Sequence, residues 1–149
     1  FGVRRNGRLL ADLHRRLHQI PAPPWLTRIA PVPGDLVVHR DLHPLNVLIG
    51  PDGPVVIDWA NASRGAAEFD VADTWVLFAC ADPPVSRVEA AVAPIVRRAF
   101  LRAFLGGTDR PSARRAIPAA VGHRLTDPNM SETERRRMRA LSVWAASGE

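Results

Sequence analysis

The chain has 149 residues, 46% of them hydrophobic, which suits one globular domain with a real core and excludes intrinsic disorder. Its formal charge is +5 and all 20 basic residues are arginine, yet the excess is spread over both halves and alternates with Glu132 and Glu134 around Arg135–Arg137. That pattern reads as solvated helix faces, since basic charge alone supports only non-specific nucleic-acid binding, so no specific nucleic-acid partner is expected. The single cysteine, Cys80, sits in an apolar run and excludes an internal disulfide framework; no run approaches a membrane span or a secretory signal. A cytoplasmic protein with a buried, reduced thiol is expected, without a membrane partner.

Leu9, Leu10, Leu13, Leu17 and Ile20 recur at helical spacing and predict a first helix, stopped by Pro21, Pro23 and Pro24. His14 and His18 stand four apart on it, as zinc ligands do. With no glutamate after the first histidine and no third ligand nearby, metal binding is not expected there. Pro31 and Pro33 keep the connection extended until Gly34-Asp35 turns it into a strand over Leu36–Val38.

The stretch from Leu36 to Asp58 organises the rest. His39-Arg40-Asp41-Leu42 followed by Asn46 fits H-R-D-L-x-x-x-N, the pattern of a protein-kinase catalytic loop. The apolar runs Val47–Ile49 and Val55–Ile57 flank Gly50-Pro51-Asp52-Gly53 and predict a β-hairpin. The hairpin sets Asn46 at the start of one strand and Asp58 at the end of the other, close together. Phosphoryl transfer needs positioned magnesium, an aligned acceptor hydroxyl and a carboxylate to take its proton. Magnesium prefers oxygen ligands and takes only one or two from protein, so the Asn46 amide and the Asp58 carboxylate suit it, with Asp41 left as the base. Singly, Asp41 capping a turn and Asp58 ending a strand have plain structural accounts; together they argue for chemistry. His39 reads as a scaffold residue, His43-Pro44 as loop-shaping, and Trp59 as either a packed aromatic or a stacking surface.

Beyond Asp58 the pattern is helical. A helix from about Val71 carries Trp75, Phe78 and Ala79 and ends at Asp82-Pro83-Pro84. Ser86 with Glu89 reads as a capping box opening a helix whose apolar face is Val88, Val92, Ile95, Val96, Phe100 and Phe104, kinked or divided by Pro94 and ended by Gly106-Gly107. A weaker helix is predicted from Ser112 towards Val121. Ser131 with Glu134 caps a last one bearing Met138, Leu141 and Trp144.

The stretch Val38-His39-Arg40-Asp41-Leu42-His43-Pro44-Leu45-Asn46-Val47-Leu48-Ile49, with Val56-Ile57-Asp58-Trp59, resembles the C-terminal lobe of the aminoglycoside phosphotransferase and choline kinase-like family. That family's pattern is H-G-D-L-H-P-x-N-(V/I/L)-L followed by I-D-(W/F). Leu10-Ala11-Asp12-Leu13-His14 resembles its L-x-x-L-H helix, and Arg64-Gly65 with Asp70-Val71-Ala72 resembles its R-G-x-x-x-x-D-(L/V)-A segment. The likeness covers about residues 9 to 80. It implies an α+β, mostly helical C-lobe of a protein-kinase-like fold with a short catalytic β-hairpin: one unit over 1–149, with loop and hairpin at 36–58 and a helical region at 66–149. It also implies Asp41 as catalytic base, Asn46 and Asp58 as the magnesium and nucleotide ligands, Asp70 as a brace for the loop, and ATP or GTP with a small hydroxylated molecule as substrates.

Arg40 stands where the family has Gly and makes the loop read more like a protein kinase's. His43-Pro44 answers this, as does the short interval from Asp58 to Asp70, with no A-P-E after it. No glycine-rich phosphate loop, strand lysine or partner glutamate helix is found, so an N-lobe is expected upstream and the chain is expected to be part of a longer enzyme. Arg40 and Arg64 are the loop-adjacent candidates for holding a phosphate. The competing readings are a catalytically incomplete binding module and a protein kinase-like enzyme.

Overall fold

The computed structural model of the protein describes residues 2–28, 31–82 and 87–147. Helix α1 (Val3–Leu17) buries Gly7, Leu10, Ala11, Leu13, His14 and Leu17 on one face. It begins before the apolar repeat does and ends before the prolines, which leaves Ile20 outside it and exposed. Gly7 serves the crossing with α3 (Arg87–Leu105): a Cβ there would lie 2.7 Å from the Phe100 carbonyl oxygen, so the close approach justifies a residue that costs a helix about 1 kcal/mol.

Strand β1 (Leu36–Val38) forms where expected, and the hairpin is β2 (Val47–Gly50) with β3 (Gly53–Val56), Val47 facing Val56. Gly53 takes a φ of 114° in the turn, a conformation open to glycine and strained for other residues. The pattern gave no sign of β4 (Ser63–Gly65), which pairs antiparallel with β1, Val37 facing Arg64. Its three residues carry no apolar alternation. The molecule is thus α+β, mostly helical, with two two-stranded sheets.

Helix α2 (Ala67–Cys80) begins four residues ahead of Val71. It is buried nearly all round, because α4 (Arg110–Arg124), α5 (Glu132–Ala146), α3 and α1 all pack on it. Phe69, Val76, Phe104, Ile117 and Met138 form the centre of the core with Val38 and Leu42 from the loop region. Cys80 is buried as expected, and burial pushes its thiol up to about 11.

Helix α3 runs through Pro94 undivided. Its expected apolar face is corrected by the structure: Val92, Ile95 and Val96 are exposed, and burial is confined to the turns carrying Phe100, Phe104 and Leu105, where Phe100 stacks on Phe78 at 4.2 Å. The expected Ser86–Glu89 capping box and the Val88 side chain lie outside the described residues. The weaker helix is a full α4, N-capped by Asp109, whose side chain accepts the Ser112 amide. Helix α5 opens on the expected capping box, Ser131 with Glu134. Among the described residues no helix is long and apolar enough to cross a membrane.

Candidate active site

The loop leaving β1 is shaped by one buried acid. Asp70, in the first turn of α2, accepts the His39 backbone amide at 3.1 Å on Oδ2 and the Arg40 amide at 2.7 Å on Oδ1. These two donors turn the chain so that Arg40 takes a φ of 64°, a left-handed conformation in which glycine has no steric cost. That is the physical reason a glycine suits this position. Here the arginine side chain has contacts of its own, reaching the Asn61 carbonyl at 3.4 Å and the His123 Nε2 at 2.8 Å. Burial, with the charges of Arg40 and Arg124, lowers the His123 pKa.

His39 is fully buried beside the loop. Its Nε2 donates to the Ile57 carbonyl at 3.0 Å, tying the loop to the segment that delivers Asp58. Trp59, exposed to solvent, sets its ring 4.7 Å from that of His39 and donates from Nε1 to the Val56 carbonyl at 3.0 Å. Behind the loop, the Thr74 hydroxyl donates to the Leu42 carbonyl at 2.8 Å, which leaves its oxygen to accept from His14 Nε2 at 3.2 Å.

The three residues expected to carry the chemistry, Asp41, Asn46 and Asp58, lie on this framework. A 3₁₀ turn over Pro44–Asn46 feeds β2, and the Asn46 side chain donates from Nδ2 to the Asp41 carbonyl at 2.9 Å. The described residues give its Oδ1 no hydrogen-bond partner. The Ile57 amide donates to the Asn46 carbonyl at 3.0 Å, so the hairpin brings Asn46 beside the residue preceding Asp58. Asp58 is exposed and sits at φ 60°, ψ 65°, a left-handed conformation that aspartate tolerates better than most residues. Asp41 is partly buried, with Arg124 Nη2 3.3 Å from Oδ1 and His43 Nε2 3.7 Å from Oδ2. Its burial favours the neutral acid, but the His43 and Arg124 contacts outweigh it and hold the carboxyl below the usual range.

Asp70 is fully buried, an effect that alone would raise its pKa; hydrogen bonds from His18 at 2.9 Å and from the backbone overcome this and keep the carboxyl well below the ordinary value. Asp70 is also the third potential ligand that the sequence did not place near His14 and His18, the three donor atoms lying within 4.8 Å of one another. Its oxygens are already engaged by the loop amides and by His18. The cluster is a hydrogen-bonded brace, in which burial lowers His14 to about 4 and keeps it neutral.

Asp73 and Arg124 went unnoticed in the sequence. Asp73 is buried on α2 and accepts Arg124 Nε and Nη2 at 2.8 and 2.7 Å. Burial, with repulsion from Asp70 and Asp41, pushes its carboxyl up to about 7 against the pull of Arg124. An acid inside the apolar run Val71–Val76 was the available signal for Asp73; nothing local marks Arg124. Arg40 and Arg64, the candidates for a phosphate, are otherwise engaged, Arg64 donating to the Ala22 carbonyl at 3.1 Å.

The model of the phosphotransferase enzyme family matches residues 4–116. The chain belongs to this family. No curated protein matches it. The phosphotransferase match takes in the loop, the hairpin, Asp70 and Asp73, and ends within α4, before His123 and Arg124.

Proposed function

We propose that the protein transfers the γ-phosphate of ATP or GTP to a hydroxyl of a small molecule, as the C-lobe of a kinase-like enzyme. The observation that carries this reading is the convergence of Asp41, Asn46 and Asp58 on one loop and hairpin held by Asp70, in a chain of the phosphotransferase family. Asp41 takes the proton of the acceptor hydroxyl as its oxygen attacks. Asn46 and Asp58 fit a magnesium ion: one carboxylate and one amide oxygen, with the amide nitrogen turned onto the Asp41 carbonyl so that the oxygen is left for a cation. Magnesium, when bound, neutralises phosphate charge. His39, Trp59 and Asp70 keep the loop and the end of the hairpin in register while this happens.

The hairpin exposes Leu48 and Val55, a cross-strand pair on one face, as apolar surface suited to the adenine ring and to a second lobe that supplies the lysine absent here. The test is Asp41→Asn in the complete enzyme. It should lower turnover by about 2 to 4 orders of magnitude, the range for acid–base groups, with nucleotide affinity and thermal unfolding nearly unchanged. Asp58→Ala should raise the magnesium requirement more than Asn46→Ala. Full turnover in Asp41→Asn removes it as the base. Magnesium-dependent nucleotide binding by wild type without turnover would favour a binding module instead.

A further inference from the structure

The carboxylate of Asp41 is held by a residue outside its own loop and beyond the segment that matches the family. Arg124, in the last turn of α4, gives Nε and Nη2 to the two oxygens of Asp73, and the same Nη2 reaches Asp41 Oδ1 at 3.3 Å. The guanidinium is a rigid planar fork, so once Asp73 fixes two of its nitrogens the direction of the remaining Nη2–H is fixed as well. The side chains of Asp73 and Arg124 are 1% and 15% exposed against 29% for Asp41, so the anchor lies in the interior and the fixed N–H points outward at the loop. The preceding residue of α4 does the same for the preceding residue of the loop, His123 meeting Arg40 at 2.8 Å. The end of α4 therefore docks on two consecutive loop residues. It is also the helix end where a cationic side chain is favoured by the backbone dipole.

We propose that Arg124 is the positioning residue of the catalytic base: anchored on Asp73, it holds Oδ1 of Asp41 and so presents Oδ2, which only the loop's own His43 approaches among the described residues, at 3.7 Å, to the acceptor hydroxyl. This rests on the reading of Asp41 as base. A partly exposed aspartate on a loop has rotameric freedom, and each mis-oriented rotamer removes the base from reach; misplacement by about 1 Å can cost on the order of 100-fold in rate.

The experiment measures γ-phosphate release from magnesium ATP, with water as acceptor, in the complete protein, together with urea unfolding. The variants are Arg124→Met, Arg124→Lys, Asp41→Asn and the Arg124→Met/Asp41→Asn double. Arg124→Met should lower kcat by about 10- to 100-fold with the nucleotide KM unchanged. Arg124→Lys, a charge without the fork, should recover little of the loss. The double variant should be no slower than Asp41→Asn alone, because Arg124 acts through the carboxylate already removed, and the unfolding cycle should show coupling between the two positions. Where Arg124→Met does not fold, Asp73→Asn, which loosens the anchor and keeps the arginine, should give the same kcat loss to a smaller degree. Wild-type kcat in a folded Arg124→Met, or losses that multiply in the double variant, would overturn the assignment. Where the wild type releases no phosphate to water, the unfolding cycle decides alone, coupling supporting the held geometry and zero coupling overturning it, while the proposed function stands or falls on the Asp41→Asn test above.

Discussion

Two buried carboxylates stand on α2, at positions 70 and 73, and secure the same loop by different means. Asp70 gathers its donors from backbone amides of the loop and from the His18 ring, and its carboxyl is held well below the ordinary range. Among the described residues Asp73 is bound by Arg124, and its carboxyl is pushed up to about 7. Both are buried, so the surroundings decide which stays firmly ionised: Asp70 has the His18 hydrogen bond, the charges of His14 and His18 and the backbone amides, whereas Asp73 has Arg124 set against the repulsion of Asp70 and Asp41. Backbone donors also fix the shape of the chain that carries them, whereas a side-chain donor ties the loop to a different helix.

The sharpest way to break this contrast is to remove each acid. Asp70→Ala leaves the His39 and Arg40 amides without an acceptor and, at about 1 to 3 kcal/mol for each orphaned donor, should cost about 2 to 6 kcal/mol in urea unfolding. Asp73→Asn, which can still accept from Arg124, should cost about 1 to 3 kcal/mol. Equal losses would erase the distinction.

The pH dependence should separate the two sides by sign. His14, behind the Asp70 brace, has a folded pKa lowered from 6.5 to about 4. Its contribution is fully present above pH 6.5 and is lost as pH falls through 4, about 3 kcal/mol in all, so His14→Gln should flatten the acid limb of unfolding curves taken between those values. Asp73 runs the other way. With its folded pKa raised from 3.8 to about 7, its contribution is present below 3.8 and lost as pH rises through 7. The stability of wild type relative to Asp73→Asn should therefore decline over that window, and a rise would contradict the raised carboxyl.

A smaller effect tests the turn that Asp70 imposes. Arg40→Ala keeps the left-handed φ and loses the His123 and Asn61 contacts, while Arg40→Gly loses the same contacts and relieves the backbone. The glycine variant should be the more stable by about 1 kcal/mol in urea. Far from both acids, Ser131→Ala should cost only about 1 kcal/mol through the lost capping box, with no change in turnover.

The loop, the hairpin and the roles proposed for Asp41, Asn46 and Asp58 were legible because they are local. Their residues lie within one short stretch, the turn between β2 and β3 announces itself in Gly50–Gly53, and a hairpin brings its own two ends together. Asp70 was legible through its family segment, though its bonds to His39 and Arg40 were not. The buried surface of α3 was misjudged because periodicity shows which residues could face a neighbour and says nothing of how far that neighbour extends; Val92, Ile95 and Val96 are apolar and exposed.

By itself, then, the sequence determined the phosphotransferase family, the hairpin and most of the helical elements, and it supplied the trio proposed to carry the chemistry, since each depends on residues near one another in the chain. Tertiary structure alone decided that β4 pairs with β1, that His14 and His18 serve Asp70, and that Arg124 reaches Asp41. The reason is separation. Arg124 lies 51 positions from Asp73 and 83 from Asp41, and only the packing of α4 on α2 brings those charges within hydrogen-bonding distance.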